Sequence, residues 1–220
     1  MPMTIYVELA ETIEHGGVDK ATRWAQETLD DVVAGHRQVN AVSHPLGFLC
    51  LPIHRMADEG VCIHLWGPQW QPAALTTSPA HCHSWELLSA VLTGELHNQT
   101  VAVITDPESP THQVFEVHSS PSGDEIRATG RLVRHRVHET TEHHAGDRYR
   151  LPAGVFHQTL VPDAGELVAT VALGRTRMGA ADLSLGGLDT ADHQVRRRLY
   201  GEQDTVQAAV AALHAIRAEG

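Results

Sequence analysis

The sequence predicts an all-β domain, an antiparallel barrel or two-sheet jelly roll, with helices added at both ends. Three observations lead there. Nine short runs rich in Val, Ile, Leu and Thr follow one another between residues 47 and 173 with no helical period between them, which excludes parallel βαβ units and favours antiparallel strands. Both ends of the chain instead space their apolar residues by three and four, as helices do. Finally, 220 residues with 42% hydrophobic and 20% charged side chains are enough for one core with a helical attachment, and too few for two catalytic domains.

In chain order, Ile5, Leu9 and Ile13 step by four, and Ala21, Trp24, Ala25, Leu29, Val32 and Val33 by three and four. That predicts two helices separated by Gly16-Gly17, the second ending at Gly35. From about residue 38 the period changes. Strands are predicted over Gly47 to Ile53, Gly60 to Trp66, His81 to Thr93, Leu96 to Thr105, Gln113 to His118, Ile126 to Glu139, Arg148 to Leu151, Val155 to Val161 and Leu167 to Leu173. After Leu173 the chain is Gly-rich, through Gly179, Gly186 and Gly187, and reads as a linker or long loop. Val206, Ala209, Val210, Leu213 and Ile216 then share one helical stripe, expected to pack on the outside of the barrel or on a second subunit. The predicted organisation is a helical extension at 1–39, a barrel at 40–174, and a loop with a C-terminal helix at 175–220.

Composition removes several function classes. With 27 acidic and 16 basic residues the net charge is -11, which repels a phosphate backbone, so nucleic acid is not an expected partner. No run of eighteen apolar residues exists, and the start lacks a basic segment followed by an apolar one. Neither a membrane span nor a secretion signal is expected. Cys50, Cys62 and Cys82 are odd in number and form no C-x-x-C pair, which fits a reduced, cytoplasmic setting. The unusual figure is 17 histidines.

Two of these stand in His81-Cys82-His83, at the start of a long predicted strand. On a strand, alternate side chains share a face about 6 to 7 Å apart at Cα, so both imidazoles can reach one ion; on a helix they would diverge. A second segment holds Gly146, Pro152, Gly154 and His157, and here the chain resembles the cupin superfamily. That family's second motif has Gly, five residues, Pro, one residue, Gly, two residues and His, and all four positions match. Its first motif has His, one residue, His, three or four residues, Glu, six residues and Gly; His81, His83 and Gly94 match. Leu87 or Leu88 stands where the carboxylate ligand belongs, and Glu86 is one residue short. Leu75 replaces the Gly that opens the first motif and Val161 the Asn that closes the second.

The resemblance covers about residues 40 to 174. It implies a double-stranded β-helix with His81, His83 and His157 as metal ligands, and often a homodimer. Three neutral imidazoles on one side of an ion leave adjacent positions open and its charge uncompensated, which suits catalysis more than a closed structural site. Such a centre takes a small anionic substrate that chelates through two atoms, with one position left for dioxygen or water. Fe(II) suits both. Small three-histidine cupins resemble the thiol dioxygenases and related non-haem iron oxygenases, which implies a mononuclear iron dioxygenase. The Ser-x-His-x-Tyr series of the thiol dioxygenases has no counterpart in Val168 to Gly174, so a cysteine-type substrate is not expected. The competing readings are a zinc, nickel or manganese isomerase, lyase or hydrolase, and a non-catalytic binding module. Trp85, on the face of His81 and His83, is a candidate pocket wall; Tyr149 a candidate hydroxyl near the metal; and His97 a candidate support for a ligand imidazole. Arg134, Arg136, Arg148 and Arg150 are candidate clamps for a substrate carboxylate. Metal affinity is expected to fall as pH drops through the histidine range.

Overall fold

The computed structural model describes residues 3–56, 58–70, 75–120, 123–162 and 165–219. Helix α1 (Ile5–Glu11) starts at Thr4, whose side chain accepts from the Val7 amide as a helix N-cap. It runs on as one wide turn over Thr12–Gly16. Gly17, at φ 89°, breaks the chain before α2 (Val18–Val33), a left-handed conformation that side chains with a Cβ resist.

The strands form two antiparallel sheets. One holds β1 (Val42–Ser43), β2 (Leu49–Met56), β3 (Glu59–Trp66), β11 (Val168–Thr176), β5 (Trp85–Thr93) and β9 (Arg148–Leu151) in that order. The other runs β13 (His193–Val195), β8 (Gly123–His144), β6 (Glu95–Thr105), β10 (His157–Leu160), β4 (His81–Cys82), β12 (Leu183–Gly186) and β7 (His112–Ser120), with β8 also pairing β7. The strands of the first sheet read almost continuously apolar because both faces are covered. Val61, Ile63 and Leu65 of β3, Leu88, Ala90 and Leu92 of β5, and Ala169, Val171 and Leu173 of β11 pack with Leu9, Ile13, Ala25 and Leu29 of the N-terminal helices and Ala212, Leu213 and Ile216 of α3 (Glu202–Glu219). The intervening residues face the second sheet: Val91, Val168 and Trp66 meet Leu96 of β6 across the barrel. Helices, first sheet and second sheet are thus three layers, and the barrel lies between the two sheets.

The predicted helices and strands recur, apart from the short β1, which no predicted strand covers, and three further differences. The long strand expected from His81 to Thr93 is two strands, because the chain leaves the second sheet after Cys82 and enters the first at Trp85. The stretch read as linker or loop contains β12 and β13, both strands of the second sheet. In α3, Val210 is exposed, and Thr205, Ala208 and Ala212 join the buried face. That face packs on α2 and β5, outside the barrel. Glu219 near the end of α3 accepts from the Gly94 amide and the Thr93 hydroxyl, fastening the helix to the turn between β5 and β6. Gly94 closes the first motif for a steric reason: φ is 75°, and a Cβ there would lie 3.0 Å from the Leu167 carbonyl oxygen. Among the described residues no helix is long and apolar enough to cross a membrane.

Candidate metal centre

Strands β4 and β10 are antiparallel neighbours in a register that sets His81 directly opposite His157. Cross-strand partners share a face, so both rings enter the barrel, 4.3 Å apart between centroids. His83 lies just past β4, in the crossing from one sheet to the other, and its ring is 4.7 Å from His81 and 5.0 Å from His157. One nitrogen from each of the three lies within 4.8 Å of the others. The second motif supplies the framework. Its Pro152–Gly154 turn ends β9, and Gly154, at φ 77°, donates its amide to the His83 carbonyl at 2.8 Å.

The tautomers suit metal binding. His81 Nδ1 is 2.8 Å from the Pro79 carbonyl and His157 Nδ1 is 3.0 Å from the Val155 carbonyl; a carbonyl only accepts, so each Nδ1 carries the proton and each Nε2 keeps its lone pair. Burial and then the neighbouring His157 ring push the His81 pKa down to about 3. Burial, with His81 and His157 beside it, holds His83 well below the usual imidazole range, and burial lowers His157. All three are therefore neutral at ordinary pH, the form that ligates. His81 Nε2 and His83 Nε2 stand 3.2 Å apart. Two lone pairs at that distance repel unless a proton or a cation lies between them, and three converging imidazoles are a donor set for zinc, copper, iron or nickel.

Trp85 stacks on His83, centroids 3.9 Å apart and planes 20° from parallel. Gly174 of β11 makes the room: a Cβ there would sit 2.9 Å from the indole. Tyr149 is half-buried between the sheets, packed with Trp85 and Leu87 on one side and Leu96 on the other. Its ring stacks on His143, and burial raises its phenol pKa, against contacts with Ser89 and Asn98. His97 is a correction. Leu96 and Asn98 of β6 point inward, so His97, between them, points out, opposite Leu160 and Glu142 and bonded to Glu95 at 2.6 Å. It touches no imidazole of the triad. The arginines are also occupied elsewhere. Arg148 donates to the Ile13 and Glu14 carbonyls, Arg150 pairs with Glu14, and Arg134 pairs with Asp106; Arg136 is exposed. Glu86 is held by Arg177, so it brings no carboxylate to the triad.

Sequence reading missed two hydroxyls. The strand register places Ser184 of β12 beside His81 and Thr100 of β6 beside His157, in one row across the second sheet. Both oxygens are buried and have no hydrogen-bond partner among the described residues. Such orphans are costly unless a ligand or water completes them. Ser184 was hidden in a stretch too glycine-rich to read as strand. Sequence reading also missed a second convergence on β2 and β3. Cys50, Cys62 and His64 bring their donor atoms within 4.8 Å of one another. The signal was present: Cys62-Ile63-His64 has the same alternate spacing as His81-Cys82-His83. Cys50 donates to Cys62, which lowers the Cys62 thiol, helped by His64, and raises Cys50.

No protein-family model matches the sequence, nor does any curated protein. Among solved structures, the chain is similar to hydroxypropylphosphonic acid epoxidase from S. wedmorenis, with 12% identity, a TM-score of 0.35, and coverage of 61% of this chain and 54% of that one. It is also similar to a cupin-2 domain containing protein from Shewanella frigidimarina, with 14% identity, TM-score 0.29, and coverage of 58% and 79%. A third likeness is to hydroquinone 1,2-dioxygenase PnpCD, solved with Cd2+ and 4-hydroxybenzonitrile, with 14% identity, TM-score 0.31, and coverage of 58% and 63%. The chain thus spans about half of the epoxidase and under two thirds of the dioxygenase. By its own sheet order this chain is an antiparallel two-sheet jelly-roll barrel, and three histidines that could hold a metal ion converge inside it.

Proposed function

We propose that this chain is a mononuclear non-haem iron(II) oxygenase of the dioxygenase type acting on a small anionic substrate that chelates the metal. The observation that carries the reading is the meeting of three neutral imidazoles, with Nδ1 of His81 and His157 held by backbone carbonyls and no carboxylate among them. When bound, iron(II) supplies a centre at which a chelating anion and dioxygen meet and exchange electrons.

The chain's own residues do the rest. The Pro79 and Val155 carbonyls fix the direction of two ligand rings, and the Trp85 indole fixes the plane of the third. The hydroxyls of Ser184 and Thr100 flank the triad and are free to bond oxygens of the substrate. Asn98, whose Oδ1 accepts from Thr159, turns its amide nitrogen toward Tyr149 in the barrel interior. With no carboxylate joining the imidazoles among the described residues, the site favours an anion over a neutral ligand.

The test is anaerobic reconstitution of the metal-free chain with iron(II), followed by oxygen uptake with a panel of small 2-oxo, 2-hydroxy and phosphonate acids. Stoichiometric uptake with iron and none with zinc is the expected result. Turnover that proceeds equally without oxygen, or with zinc, nickel or manganese, overturns the oxygenase reading in favour of a non-redox metal enzyme.

A further inference from the structure

We propose that Cys50, Cys62 and His64 form a second cation site, for a thiophilic ion of the zinc class, on the sheet opposite the histidine triad. Cys62 and His64 alternate on β3 and so share a face, and Cys50 stands directly opposite His64 on β2. That face looks into the barrel: Trp66, the next alternate residue, packs with Leu96 of the other sheet. The two sulfurs and one imidazole nitrogen lie within 4.8 Å of one another, with Cys50 buried and the other two half-buried. Bonds of about 2.3 Å to sulfur at tetrahedral angles would hold the sulfurs about 3.8 Å apart, a closure within reach of side-chain torsions. Two thiolates with one imidazole are a soft donor set that selects zinc-class ions over magnesium or calcium.

A second observation points to a ligand at the same place. Thr170 of β11 is the partner of His64 on the other side of β3, its side chain is fully buried, and its hydroxyl has no hydrogen-bond partner among the described residues. A water completing a tetrahedral ion at this cluster would give that hydroxyl its partner. Phe48 packs against His64 with ring centroids 4.3 Å apart and planes 34° from parallel, which limits rotation of the imidazole. The third cysteine, Cys82, faces away, with its thiol directed at the Ala181 carbonyl, and serves as an internal control. This inference does not depend on the iron reading, since it uses none of the same side chains.

The experiment uses the full chain carrying His157→Ala, which disables the histidine site, stripped of metal and titrated with Cd2+ under a phosphine reductant. One equivalent should bind with a thiolate-to-cadmium absorption band. Adding Cys62→Ser should abolish the band and adding Cys82→Ser should leave it, with circular dichroism unchanged in both. The same chain loaded with zinc, without a cysteine substitution, should show by X-ray absorption a sulfur shell near 2.3 Å, at about the expected zinc–thiolate distance; this arm stands even where Cys62→Ser fails to fold. A band that survives Cys62→Ser, a band lost with Cys82→Ser, or a shell of nitrogen and oxygen alone overturns the proposal.

Discussion

The Gly154 amide donates to the His83 carbonyl at 2.8 Å, so the turn that leads to His157 is bonded to the segment that carries His81 and His83. The spacing of the second motif thus fixes where the third imidazole arrives. Gly154 adopts φ 77°, a conformation that costs a residue with a Cβ about 1 to 2 kcal/mol. Gly154→Ala should lower stability by that amount, read by chemical denaturation, and weaken metal binding, read by titration. His157→Ala should remove stoichiometric metal from the triad, weakening it by more than about 100-fold, since even groups that only support ligands cost 10- to 100-fold. The fold should persist, because the core under the helices contains no part of the triad.

Thr100 and Ser184 each predict effects of opposite sign on stability and on turnover. Each buries a hydroxyl that has no partner among the described residues, beside a triad imidazole. Thr100→Val removes an orphan and keeps the shape, so the metal-free chain should gain about 1 kcal/mol. Turnover with a chelating substrate should fall, with metal content unchanged. Ser184→Ala should act in the same direction. Equal loss of stability and activity would show these hydroxyls to be structural instead.

Trp85 and Gly174 form a matched pair. A methyl at position 174 would approach the indole to 2.9 Å, so Gly174→Ala should displace Trp85 from its stack on His83 and cost about 1 to 3 kcal/mol of overpacking. Tryptophan fluorescence should report the displacement. Trp85→Phe should relieve the clash, and a stability of the double variant no better than Gly174→Ala alone would refute the pairing.

The pH dependence follows from the direction of the shifts. His81, His83 and His157 have lower pKa values in the folded chain than in the unfolded one, His81 at about 3. Below the ordinary imidazole value of about 6.5, the unfolded chain takes up protons that the folded chain refuses. The stability these neutral imidazoles contribute is therefore whole above that pH and is lost as pH falls toward the folded values. For the metal-free chain, denaturation between pH 7.5 and 4 should show this decline. His81→Gln should lower the slope by about one proton, about 1.4 kcal/mol per pH unit. Because burial keeps these imidazoles neutral to lower pH, metal loss on acidification should set in below the ordinary histidine range.

How much of this was legible in the sequence depended on distance along the chain. Alternation and helical period are local, so the two N-terminal helices, α3 and most strands could be read directly, and so could the shared face of Cys62 and His64. The match of Gly146, Pro152, Gly154 and His157 to a motif also carried His157 toward His81 and His83. The break at His83 and Ser84 could not be read, because a strand that changes sheets keeps its apolar pattern on both sides of the crossing. Nor could β12, whose Leu183-Ser184-Leu185-Gly186 is too short to show a period.

What the sequence determined by itself was most of the elements and the residue types of one candidate site, since both follow from composition and short-range spacing. The tertiary structure alone decided the register. Register turns His97 out to Glu95, sets Ser184 and Thr100 beside the imidazoles, and faces Cys50 to His64. A shift of one residue in any of these ladders would send each side chain to the opposite face. Local sequence carries no record of that choice, because pairing between strands is fixed by the packing of both sheets around their common interior.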